Sequence, residues 1–70
     1  MFISLEQIDK VKDFVAISQE CVDDVTLVGG RYSVDGKSIL GIFSLDLSQP
    51  IELVCDNPAD YTRFEQFKVE

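Results

Sequence analysis

The sequence predicts an α+β domain, an open-faced two-layer sandwich in which an antiparallel sheet carries helices on one face. Segments with alternating apolar residues and segments with helical periodicity follow one another in the order β-α-β-β-α-β-α. Glycine and proline residues separate these segments. The 70 residues, of which 46% are hydrophobic, suffice for one helix layer on one sheet, and so for a single domain over residues 1–70.

The first two elements are a short edge strand, at residues 2–4, and a helix at about residues 5–20. Ser4 and Gln7 have the Ser-x-x-Gln spacing of a capping box, which favours a helix that begins at residue 5. The apolar positions then recur with a period near 3.6 and predict one buried face. That face carries Leu5, Ile8, Val11, Val15 and Ser18, widened by Phe14 and Ile17.

A hairpin is expected next. Alternation over residues 24–28 places Val25 and Leu27 on one face of a strand, and Gly29 and Gly30 permit the positive φ that a tight turn requires. The return strand covers residues 31–35. Gly36 ends it.

The last three elements are a short helix at residues 39–46, a strand at residues 50–56 and a final helix. Ser38 precedes the short helix as a suitable N-cap. Gly41 lies inside that helix at a cost of about 1 kcal/mol relative to alanine, which predicts a packing reason for it. The final helix follows an Asn57 cap, with proline in its first position and with Tyr61, Phe64 and the 67–69 segment on its buried side.

Charge and composition exclude several classes of function. Thirteen acidic and six basic residues give a net charge of −7, which argues against nucleic acid and anionic membranes as partners. No apolar run approaches the ~20 residues of a membrane span, and the cytoplasm is the expected location. The chain has no histidine, so no imidazole can act as a base, a phosphate acceptor or a metal ligand. We expect no enzyme activity, no cofactor and no metal.

The two cysteines, Cys21 and Cys55, do not form a zinc-binding pattern. Both have apolar neighbours, which favours buried, reduced thiols over the alternative of a disulfide.

Residues 35–45 read Asp-Gly-Lys-Ser-Ile-Leu-Gly-Ile-Phe-Ser-Leu. This stretch resembles the regulatory region of HPr, the histidine-containing phosphocarrier family of the bacterial sugar phosphotransferase system, whose pattern is Lys-Ser-Ile-Met-Gly-Val-Met-Ser-Leu. The resemblance extends without gaps over about residues 21–45 and more weakly over nearly the whole chain. It implies the HPr fold, whose element order is the one derived above.

The chain departs from this family before the first helix, where HPr proteins carry Gly-x-His-Ala-Arg-Pro. The gapless register places Gln7 near the histidine and Asp9 near the arginine. An amide is not a phosphoryl acceptor of this kind, and a carboxylate repels a phosphate dianion. Two explanations remain: the first strand is missing, or the active-site loop is deleted and residues 2–4 form a shortened first strand. We favour the second.

The resemblance implies a regulatory role. In relatives of this family the serine that matches Ser38 is phosphorylated by HPr kinase/phosphorylase, and the product is recognised by a transcriptional regulator of carbon catabolite repression. Ile39, Leu40 and Phe43 correspond to positions that contact partners in HPr, and Lys37, which adjoins Ser38, is a further candidate partner-binding residue. If the helix packs through residues 39, 42 and 45, Leu40 or Phe43 is exposed. The alternatives are that Ser38 is only a helix cap, and that the domain is a structural interaction or homodimerisation module.

Overall fold

Within residues 1–69, which the computed structural model describes, a four-stranded antiparallel sheet has the spatial order β1-β4-β2-β3. The strands are β1 (Phe2–Ile3), β2 (Val25–Gly29), β3 (Tyr32–Asp35) and β4 (Ile51–Cys55). The helices are α1 (Ile8–Glu20), α2 (Ile39–Phe43) and a 3₁₀ helix (Pro58–Phe67). The predicted α+β class and element order are confirmed. No helix in the described part of the chain is long and apolar enough to cross a membrane.

The strands follow the predicted alternation. Val25 and Leu27 of β2 are buried, and Ile51, Leu53 and Cys55 of β4 face the same core. The β2–β3 hairpin pairs Gly29 with residue 32, and Gly30 between them has a φ of 58°, in the left-handed region that glycine adopts without strain.

The predicted start of α1 is wrong by three residues. Gln7, not Ser4, is the N-cap, and no side chain caps the helix. The Ser4 amide donates to the Phe67 carbonyl at 2.9 Å, so the segment after β1 is bound to the end of the 3₁₀ helix and does not start α1. Leu5 is fully buried in this connecting segment, whereas Ile8, predicted to be buried, is 61% exposed at the first position of the helix. Leu5 is therefore apolar because it is buried in the core outside the helix, and helical periodicity alone cannot show this.

The last two helices also differ from the prediction. α2 ends at Phe43 rather than at residue 46, because Ser44 becomes its C-cap and residues 44–45 form a turn. The final helix is 3₁₀, capped by Asn57 as expected. With three residues per turn, a 3₁₀ helix aligns side chains three apart, and Tyr61, Phe64 and Phe67 have that spacing.

An aromatic cluster fills the space between α1 and the 3₁₀ helix. The ring of Phe14 lies 4.8 Å from that of Phe64 and 5.6 Å from that of Phe67, measured between centroids. These separations suit offset and edge-to-face packing, and all three side chains are buried. The cluster packs α1 against the 3₁₀ helix.

Candidate functional site

Ser38 occupies the position that the sequence predicted for it. Its backbone is extended, with φ −107° and ψ 112°, and its Oγ accepts a hydrogen bond from the Gly41 amide at 3.2 Å. The predicted N-cap is therefore confirmed. Ser38 is half-buried, at the junction between the turn after β3 and α2.

α2 is anchored to the hydrophobic core by residues on its inner side. Ile42 is fully buried and Leu45, just after the helix, is nearly so. A Cβ atom at Gly41 would lie 3.4 Å from the Cβ of Val34 on β3, which is ordinary van der Waals contact, so the packing reason predicted for this glycine is not found. The helix therefore rests closely on the sheet and presents its opposite side outward.

The outer side of α2 is apolar. Leu40 is 80% exposed, Phe43 44% and Ile39 36%. These three residues are neighbours on one helix face, and we refer to them as the α2 surface. The prediction that Leu40 or Phe43 is exposed is confirmed for both. Exposed apolar residues that adjoin one another are a feature of protein interaction sites.

Lys37 does not join this surface. Its ammonium donates to the carbonyl of Cys21, the C-cap of α1, at 2.8 Å. No basic residue lies in the last turn of α1, and the negative end of the helix dipole attracts a cation from elsewhere. The charge of Lys37 is thus directed to α1, and its contact with a partner stays a prediction.

The turn before Ser38 is also joined to α1 through a buried hydroxyl. Ser18 is fully buried, and its Oγ donates to the Gly36 carbonyl at 2.7 Å and to the Val15 carbonyl at 3.0 Å. The periodicity placed Ser18 on the buried face of the helix but gave no sign of its partner.

Gln7 and Asp9 are both exposed at the beginning of α1. β1 is present and pairs with β4, so the explanation in which the first strand is missing is wrong. Only residues 4–7 connect β1 to α1. The geometry agrees with a shortened strand followed by a short connection.

A buried polar group near the two cysteines was not foreseen. Asp60 is 6% exposed; its Oδ1 accepts from the Arg63 guanidinium at 3.2 Å, and its Oδ2 has no hydrogen-bond partner of ordinary geometry. Burial, followed by the charge of Asp60, raises the pKa of the Cys21 thiol and raises that of Cys55 to about 11. Both thiols are buried, as predicted, and stay protonated at neutral pH, which makes them weak nucleophiles. Among residues 1–69 no three acidic or cysteine side chains are grouped to hold a metal ion.

The sequence matches no family model, and it has no significant match among curated proteins. A solved structure does match: selenomethionyl Crh of Bacillus subtilis, described as a catabolite repression protein and as an intertwined dimer with a swapped domain. The two chains are 24% identical and superpose with a TM-score of 0.66, over 94% of this chain and 77% of the Crh chain. The domain therefore has the HPr-like fold of Crh, as the resemblance in sequence implied.

Proposed function

We propose that this domain is a non-catalytic regulatory or adaptor protein related to the bacterial sugar phosphotransferase system. It acts in the cytoplasm by docking a protein partner on the α2 surface, and phosphorylation of Ser38 is its switch. The observation that carries the proposal is an exposed apolar surface directly beside a helix-capping serine, on the fold of Crh, in a chain without histidine.

The start of α1 supports a lack of phosphocarrier activity. The gapless register places Gln7 near the histidine and Asp9 near the arginine of the family pattern. The Gln7 amide offers no nucleophile comparable to an imidazole, and the Asp9 carboxylate adds negative charge where a phosphate would have to lie.

The switch requires a protein kinase and ATP. The Ser38 Oγ attacks the γ-phosphorus, an O–P bond forms, and the bond to the oxygen of the departing ADP breaks. The hydroxyl proton passes to a base of the kinase. The product places about −1.5 to −2 charges next to Ile39 and one turn from Phe43. An apolar surface with a phosphate at its margin suits a partner that offers an apolar groove and a basic side chain.

The kinase reaction is the first test. The purified domain is incubated with HPr kinase/phosphorylase and ATP and then analysed by mass spectrometry. We expect one phosphate on the wild type and on Ser33→Ala, an exposed serine outside the site, and none on Ser38→Ala. An unmodified wild type, or equal labelling of Ser38→Ala, would contradict the switch.

The dimeric state of Crh favours homodimerisation as a second candidate function. Leu40→Asp places a charge in the middle of the α2 surface and is expected to abolish partner binding while the domain stays folded. Ile8→Asp, which changes an exposed residue on α1, is the matched control. Sedimentation of both variants separates the two functions. A monomeric wild type excludes the dimer, whereas a dimer that only Leu40→Asp dissociates assigns the surface to a second copy.

A further inference from the structure

The 36–37 turn, which consists of Gly36 and Lys37, joins the proposed switch to the end of α1. The Gly36 carbonyl accepts from the buried Ser18 hydroxyl, and the Lys37 carbonyl accepts from the Gln19 side-chain amide at 3.4 Å. The Lys37 ammonium makes the third contact by donating to the Cys21 carbonyl at 2.8 Å. Ser38 follows directly in the chain, so a change at its side chain begins within two residues of all three contacts.

The Lys37 ammonium is the positive charge nearest in sequence to Ser38, and it is already bound to a neutral acceptor. The nearest carboxylate in sequence, Asp35, is engaged by the Lys37 amide at 2.9 Å and adds negative charge to the turn. The net charge of −7 makes a further dianion unfavourable without a cation beside it. An ammonium is attracted more strongly by a phosphate dianion than by a neutral carbonyl, because both partners then carry full charges. A phosphate on Ser38 therefore competes with the Cys21 carbonyl for the Lys37 ammonium.

We propose that Lys37 transmits phosphorylation of Ser38 to the end of α1: its ammonium leaves the Cys21 carbonyl and binds the phosphate. The inference rests on the proposed function in taking Ser38 as the modified residue. The Cys21 carbonyl then loses its charged donor, and the last turn of α1, which has Glu20 but no cation of its own, opens more often. Lys37 acts here as a positioning residue between two helices.

The test uses the full 70-residue chain with phosphoserine installed at position 38 by chemical synthesis, with the segments joined at the native Cys21. No kinase is needed, so a failed kinase reaction would contradict the proposed function without affecting this result. Amide hydrogen exchange at residues 18–22 is measured by NMR in phosphorylated and unphosphorylated chains. Lys37→Met removes the ammonium. Lys12→Met, an exposed lysine of α1, removes the same charge elsewhere.

We expect the phosphate to accelerate exchange at the end of α1 about two- to fivefold in the wild type and in Lys12→Met. Unphosphorylated Lys37→Met should already exchange at the faster rate, and the phosphate should add nothing to it. Exchange at the β2 and β4 amides reports whether each chain is folded. An unchanged rate in the phosphorylated wild type, or an equal acceleration in Lys37→Met, would overturn the proposal.

Discussion

Phe14→Ala is expected to destabilise the domain by about 3–5 kcal/mol, as other buried phenylalanine truncations do. The ring contacts both Phe64 and Phe67, so its loss leaves a cavity between α1 and the 3₁₀ helix. A domain of this size rarely has more than about 3–5 kcal/mol of stability from its core. The variant should therefore be largely unfolded at 25 °C. Urea titration followed by circular dichroism measures the difference, since the chain has no tryptophan.

Phe43→Ala is the control, because it removes the same side chain from the α2 surface. Phe43 is 44% exposed and belongs to no aromatic pair with the core rings, so we expect a loss of about 1 kcal/mol or less. Similar losses for the two variants would show that the cluster around Phe14 is not the centre of the core.

Gly36→Ala has the second largest expected effect. A Cβ atom here would lie 2.7 Å from Cγ1 of Val25, 3.1 Å from the carbonyl oxygen of the same residue and 3.3 Å from the ring of Phe14. The valine side chain is stiff and the carbonyl accepts the Gly36 amide at 2.8 Å, so neither can retreat at little cost. We expect a loss of about 1–3 kcal/mol in the free energy of unfolding, measured by urea titration.

Gly41→Ala provides the comparison within the same region. Its new methyl group would have neighbours at 3.4–3.5 Å, which is ordinary contact, and alanine is favoured over glycine in a helix by about 1 kcal/mol. We expect stability to stay the same or to rise slightly. A greater loss at position 41 than at position 36 would contradict the packing described for the turn.

The sequence predicted those parts of the fold that depend on local pattern. Alternation in β2 and β4 identified the buried faces of the sheet, and Ser38 and Asn57 are caps because their side chains reach amides only two or three residues away. The start of α1 was missed because Leu5 is buried in the segment between β1 and α1, where the Ser4 amide is bound to the distant Phe67 carbonyl. Periodicity cannot distinguish an apolar residue on the buried face of a helix from one that is buried in the segment before the helix.

The site was predicted to a similar extent. The helical period predicted that residues 39, 42 and 45 pack inward and that Leu40 or Phe43 is exposed. Residues 42 and 45 are buried and both Leu40 and Phe43 are exposed, but Ile39 is exposed too, which contradicts the predicted packing of that residue. The position of the Lys37 ammonium could not be predicted from local pattern, because its acceptor lies 16 residues away. One signal was available: α1 ends without a basic residue in its last turn, which leaves its carbonyls to a donor from another element. For the burial of Asp60 the sequence offered one signal, the three-residue spacing to Arg63, which allows the two side chains to form an ion pair.

The first and last segments of the described chain lie side by side. The Val69 amide donates to the Phe2 carbonyl at 3.0 Å, and Ile3 forms a β-bridge with Lys68. During synthesis on a ribosome, the outer edge of β1 therefore stays open until residues 67–69 have left the exit tunnel, because these residues follow all four strands in the chain. The outer edge of β1 is a pairing surface during that interval. Neighbouring nascent chains on one polysome therefore have an opportunity to pair along this edge before residues 67–69 cover it.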